Sequence, residues 1–134
     1  TNTGLYSSAA SDVYKRQVWR LAADAPLPSI EPSSFLSMTR TEAELSVVSP
    51  SMDVPSGVTA EAGWCCLRVE GPLAFEMTGV LAALSATLAK AEIPIFVVST
   101  YDTDYLLVKA VDLDDACATL GDEGFVVEME TERR

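Results

Sequence analysis

Histidine is absent from this 134-residue chain, and the absence removes the commonest general base and the commonest metal ligand together. Triads built on histidine and histidine-based metal sites are excluded. Cysteine is scarce and odd in number: Cys65 and Cys66 are adjacent and Cys117 stands apart, so neither a disulfide framework nor a CxxC zinc or redox site is spelled out. The thiols read as small apolar side chains of a reducing, cytoplasmic protein. Positive charge is also in short supply. Nine Lys and Arg against twenty Asp and Glu give a net charge of −11, a field that repels phosphate backbones and anionic headgroups, so neither nucleic acid nor a membrane surface is expected as partner. No apolar run reaches the roughly 18 to 20 residues needed to span a bilayer, because Ser85, Thr87 and Lys90 interrupt the longest candidate, Val80 to Ala91.

What is present is a hydrophobic content of 49%, enough for one domain, or two small subdomains, with a real interior. Residues 1–17 show no coherent period. Ser7 to Gln17 resembles translated sequencing-adapter read-through, so this segment is expected to be non-native and irregular. Val18–Ala22, Phe35–Thr39 and Leu45–Val48 read as short strands, with a hairpin between the last two. Pro26, Pro28 and Pro32 leave room only for a helical turn between the first two. Pro50 to Gly63, with Pro55 and Gly57, reads as a linker.

The remainder is more regular. Trp64 to Glu70 alternates as a strand buried mainly on one face requires, and Gly71-Pro72 ends it. Leu81, Leu84, Leu88 and Ala91 recur at spacings of three and four, which predicts a helix after Thr78. The apolar runs Ile93–Val98 and Leu106–Val108 flank a polar segment, Thr100 to Thr103, and predict a β-hairpin. Asp112 is positioned as N-cap of a second helix with Leu113, Ala116, Cys117 and Leu120 on one face, and Phe125 to Met129 is the last strand. Strand, helix, strand, strand, helix, strand with single-striped helices is the α+β, ferredoxin-like βαββαβ arrangement. The expected division is an irregular segment at 1–17, a degenerate subdomain of similar strand order at 18–62 and a regular one at 63–130.

Two places could carry chemistry. Thr78-Gly79-Val80 reads either as a capped, close-packed helix start or as a place where free N–H groups meet a carboxylate or phosphate. Asp102 and Asp104 read either as ordinary turn residues or as cation-binding carboxylates; Asp104 enters a strand, where aspartate is disfavoured. Asp112, Asp114 and Asp115 lack the glycine and glutamate register of a calcium loop and suit a helix's first turn. No metal or cofactor is expected.

Gly71-Pro-Leu73, Thr78-Gly-Val-Leu81 and Phe96 to Val108, above all Ser99-Thr-Tyr-Asp-Thr-Asp-Tyr105, resemble the small ACT-domain proteins related to the CASTOR amino-acid sensors. The resemblance implies two tandem ACT units and binding of a free amino acid or similar small effector at an interface between ACT units; the protein is accordingly expected to be non-catalytic, regulatory and a homodimer. The resemblance also implies that Ala74, Phe75, Met77, Thr78, Gly79 and Val80 hold the effector's backbone end. Asp104, with Thr100 beside it and Asp102 near, would meet its cationic part. The contrasting expectation is a ligand-independent oligomerisation or protein-interaction module. An enzyme is not expected: a phosphatase on this fold would want an anion-binding arginine between Gly71 and Gly79, and that stretch has neither Arg nor Lys.

Overall fold

The computed structural model describes residues 4–7, 15–31, 35–70 and 79–129. Its strands are β1 (Gly4–Ser7), β2 (Arg16–Leu21), β3 (Ser37–Arg40), β4 (Leu45–Pro50), β5 (Thr59–Val69), β6 (Ile95–Ser99), β7 (Asp104–Lys109) and β8 (Val126–Met129). Two helices, α1 (Val80–Lys90) and α2 (Leu113–Asp122), complete the regular structure with two short 3-10 turns, Ser51–Asp53 and Ala110–Asp112. The chain divides into two compact units: Thr1–Ala10 with Cys65–Arg134, and Ser11–Trp64. β5 contributes residues to both.

In the first of these, the helical unit, the strand order is β6-β7-β5-β1-β8. Without β1 this is the order of a ferredoxin-like βαββαβ motif, so the α+β, ferredoxin-like expectation holds. The period of two along the strands selects one face, and Cys65, Leu67, Val69, Leu106 and Val108 all lie in the buried cluster. Both helices cover that face. α1 supplies Leu84 and Leu88, and α2 supplies Leu113, Ala116 and Leu120, the residues that the spacing singles out. Ala91 departs from the expected stripe: it is the exposed C-cap of α1. Each fully buried leucine contributes about 1.5 to 3 kcal/mol relative to an exposed one, so the six fully buried in this cluster (Leu5, Leu67, Leu84, Leu88, Leu106 and Leu120) dominate its stability.

The amino-terminal segment differs from its expectation. Gly4–Ser7 is a strand wedged between β5 and β8, antiparallel to the first and parallel to the second, and Leu5 is buried in the core. β2 likewise begins at Arg16, inside the segment expected to be irregular. The reason is pairing: a short strand without a readable period forms when two neighbours offer it both ladders. Glu70 N–H donates to the Gly4 carbonyl at 2.8 Å, and the Arg68 guanidinium stacks 4.5 Å from the centroid of the Tyr6 ring.

The second unit has strand order β3-β4-β2-β5, again that of a ferredoxin-like motif, with β3 and β4 forming the expected hairpin. Among its described residues only the 3-10 turn Ser51–Asp53 is helical. Trp19, Leu45 and Val47 form its core, and the irregular stretches on either side of the hairpin cover it with Ala25, Ile30, Leu36, Val54 and Val58. Trp19 Nε1 donates to Ser49 Oγ at 2.8 Å, so the indole is both packed and satisfied. Arg40 ties the proline-rich stretch down, donating to the carbonyls of Ala23 and Ala25. The linker expected over Pro50 to Gly63 is shorter than that: β4 runs to Pro50 and β5 begins at Thr59. Thr59 to Ala62 are exposed and carry no alternation, but their backbone is held by the ladder to β2.

Candidate functional site

The hairpin of β6 and β7 ends in the turn Thr100–Thr103. Thr100 N–H donates to the Thr103 carbonyl at 2.8 Å, the Thr103 N–H donates to Thr100 Oγ1 at 3.3 Å, and Thr100 Oγ1 donates to the Thr103 carbonyl at 3.0 Å. A threonine side chain thus closes the turn in the manner of short polar residues. Asp102 is exposed at its tip. Asp104, half-buried, opens β7 opposite Ser99, whose hydroxyl donates to Asp104 Oδ1 at 2.6 Å. That short, charge-assisted bond holds the carboxylate in one orientation and leaves Oδ2 for another donor.

Thr103 points the other way. It is buried, and its Oγ1 donates to the Val69 carbonyl at 2.8 Å. The start of β7 therefore lies beside the end of β5, and the two strands run antiparallel. Because α1 returns from the end of β5 toward the start of β6, its amino-terminal end lies at the same edge of the unit as the hairpin turn. There Gly79 is the exposed N-cap with φ of +91°, a left-handed conformation that glycine adopts without penalty. Apart from its chain neighbours and its own helix backbone, no heavy atom of the described residues lies within 4 Å of where a Cβ would stand. Val80 begins the helix and packs partly on the core. The Gly79 carbonyl accepts the first helical bond, from Ala83 N–H at 2.8 Å, while the N–H groups of the first turn have no acceptor within the helix. This edge thus offers N–H donors at one place and carboxylates at another, a combination suited to a zwitterion.

Of the residues singled out in the sequence, Thr100, Asp102 and Asp104 come together in one turn, and Gly79 and Val80 start α1 at the same edge. Ala74, Phe75, Met77 and Thr78 lie outside the described residues. Ser99 and Thr103 were missed. The signal for both was the run of hydroxyl and carboxylate residues from Ser99 to Asp104, in which alternate members must face opposite sides of the hairpin.

Elsewhere, Asp112 is the N-cap of α2 as the spacing predicts, although its side chain makes no capping hydrogen bond. Among the described residues no group of three or more His, Cys, Asp or Glu is placed to hold a metal, and no helix is long and apolar enough to cross a membrane. Cys65 and Cys66 are buried; Cys117 is half-buried. Burial, reinforced by the Asp114 carboxylate, pushes the Cys117 thiol above its ordinary value.

Residues 59–122 match the family ACT_7, described as an ACT domain, which is a regulatory and not a catalytic module. No curated protein matches the sequence. Among solved structures, the chain is similar to protein Atu0741 from Agobacterium tumefaciens, with 32% identity and a TM-score of 0.88, covering 100% of this chain and 98% of that one. VC0802 from Vibrio cholerae, a protein of unknown function described as a possible transport protein, shares the fold at 18% identity and TM-score 0.72, covering 92% of this chain and 91% of that one. The aspartate kinase of Clostridium acetobutylicum does so at 13% identity and TM-score 0.66, with 92% of this chain covering 35% of the kinase. Residues 59–122 of this chain are thus an ACT domain, and over its full length the chain belongs to the same family as the Agobacterium protein.

Proposed function

We propose that this protein is a non-catalytic, amino-acid-sensing regulatory protein of the cytoplasm, acting as a homodimer. The observation that carries the reading is the placement, within the ACT-matching residues, of a helix start at Gly79 and a carboxylate-bearing turn at one edge of one unit. The effector's carboxylate would take N–H groups at the start of α1, where the helix dipole favours negative charge. Its ammonium or guanidinium would meet Asp104 Oδ2, with exposed Asp102 beside it. Likeness to an aspartate kinase described as an important allosteric enzyme for amino acid production supports amino acids as the effector class. Affinities in the micromolar to millimolar range, about 4 to 8 kcal/mol, are within reach of one charged contact at each end.

The test is a thermal-shift series on the full chain with each standard amino acid at millimolar concentration, since a ligand that binds only the folded form raises the melting temperature. A selective rise that is lost in Asp104→Ala is the expected result. No rise with any amino acid would overturn the reading. The contrary reading, a ligand-independent oligomerisation module, draws on one observation: β6 pairs only with β7 among the described residues, and its Ile-Phe-Val-Val run has no charge to discourage a further strand. It requires an assembly indifferent to amino acids.

A further inference from the structure

Resting on that reading, we propose that Thr103 is the positioning residue of the effector site, the side chain that fixes the carboxylate-bearing turn against the end of β5. Two of the buried polar side chains among the described residues lie in the helical unit, Thr87 and Thr103, and they use their hydroxyls differently. Thr87 Oγ1 donates to the Ala83 carbonyl one turn back in its own helix, at 2.8 Å, a local bond that holds nothing else. Thr103 Oγ1 reaches the carbonyl of Val69, 34 residues away.

The hairpin turn does not need that bond to close, because the backbone and the Thr100 hydroxyl already close it. What the bond fixes is where the turn stands. Val69 is the last residue of β5, where the chain leaves the sheet on its way to α1, and Asp102 and Asp104 flank Thr103 directly. One hydroxyl therefore sets the carboxylates at a defined place relative to the strand end that leads to the helix start. Replacing it with a methyl group leaves the shape unchanged and the Val69 carbonyl short of a donor, so the turn loses its anchor and the spacing between the two ends of the site becomes variable.

The experiment titrates full-length protein with the standard amino acids, one at a time, and reads both the melting temperature without ligand and the concentration giving half the maximal shift. Thr103→Val is expected to raise the half-maximal concentration about two- to tenfold, the equivalent of one net hydrogen bond, and Thr103→Ser to restore it. Thr87→Val is the comparison: it is expected to lower the melting temperature while leaving the half-maximal concentration unchanged. If the unsubstituted protein responds to an amino acid and Thr103→Val responds at the same concentration, the positioning role is wrong while the sensor reading stands. If the unsubstituted protein responds to none, the sensor reading itself has failed. Thr103→Ala serves where the valine variant does not fold, and failure of both to fold would assign Thr103 to stability alone and overturn the proposal.

Discussion

At the start of β7, Asp104 occupies a strand position that disfavours aspartate, and the Ser99 hydroxyl across the hairpin at 2.6 Å is what accommodates it. The residue types of this turn were readable in the sequence, since a polar break between two apolar runs has few other meanings. The partners of the side chains were not, because a hydroxyl at Ser99 looks the same whether it faces Asp104 or solvent. A second residue-scale effect concerns Cys117. Its thiol holds its proton to higher pH in the folded chain than in the unfolded one, by burial first and by Asp114 second. The unfolded state then binds fewer protons between the two values, so stability present below the ordinary thiol range is lost as pH rises through it. The melting temperature of the protein is expected to fall more steeply with alkaline pH than that of Cys117→Ala, measured side by side. Equal slopes would show that this thiol does not contribute.

Among the elements, the helices and the hairpin follow from periodicity, and β1 and the first part of β5 do not. α1 and α2 bury the residues that recur at three and four, and β6 and β7 pair from Ile95 opposite Val108 to Ser99 opposite Asp104. Gly4 to Ser7 is too short to show an alternation, and Thr59 to Ala62 are exposed, so neither announces a strand. Each is a strand because of what lies beside it: β5 and β8 flank the first, and β2 pairs with the second. Leu5 turns this into a measurement. It is 1% exposed in the core of the helical unit, so Leu5→Ala is expected to destabilise the protein by about 2 to 5 kcal/mol in urea unfolding, as buried leucines do. A cost within about 0.5 kcal/mol, typical of surface positions, would show that β1 is dispensable to the fold.

For the whole molecule, a net charge of −11 on 134 residues means that the compact state works against its own repulsion. Raising ionic strength from about 0.01 M to about 0.15 M shortens the screening length from roughly 30 to 8 Å and is expected to raise the melting temperature by a few degrees. A flat response would mean that the carboxylates are already far enough apart. Composition, charge and periodicity determine by themselves the fold class, the helical faces and the candidate turn, because these are sums over residues or local repeats that need no knowledge of neighbours. Only the tertiary structure decides that the chain's first described strand completes the helical unit's sheet, that the second unit keeps a ferredoxin-like strand order with almost no helix among its described residues, and that Thr103 reaches Val69. Those are pairings between residues far apart in sequence, and a hydrogen-bonding backbone or hydroxyl carries no mark of its distant partner.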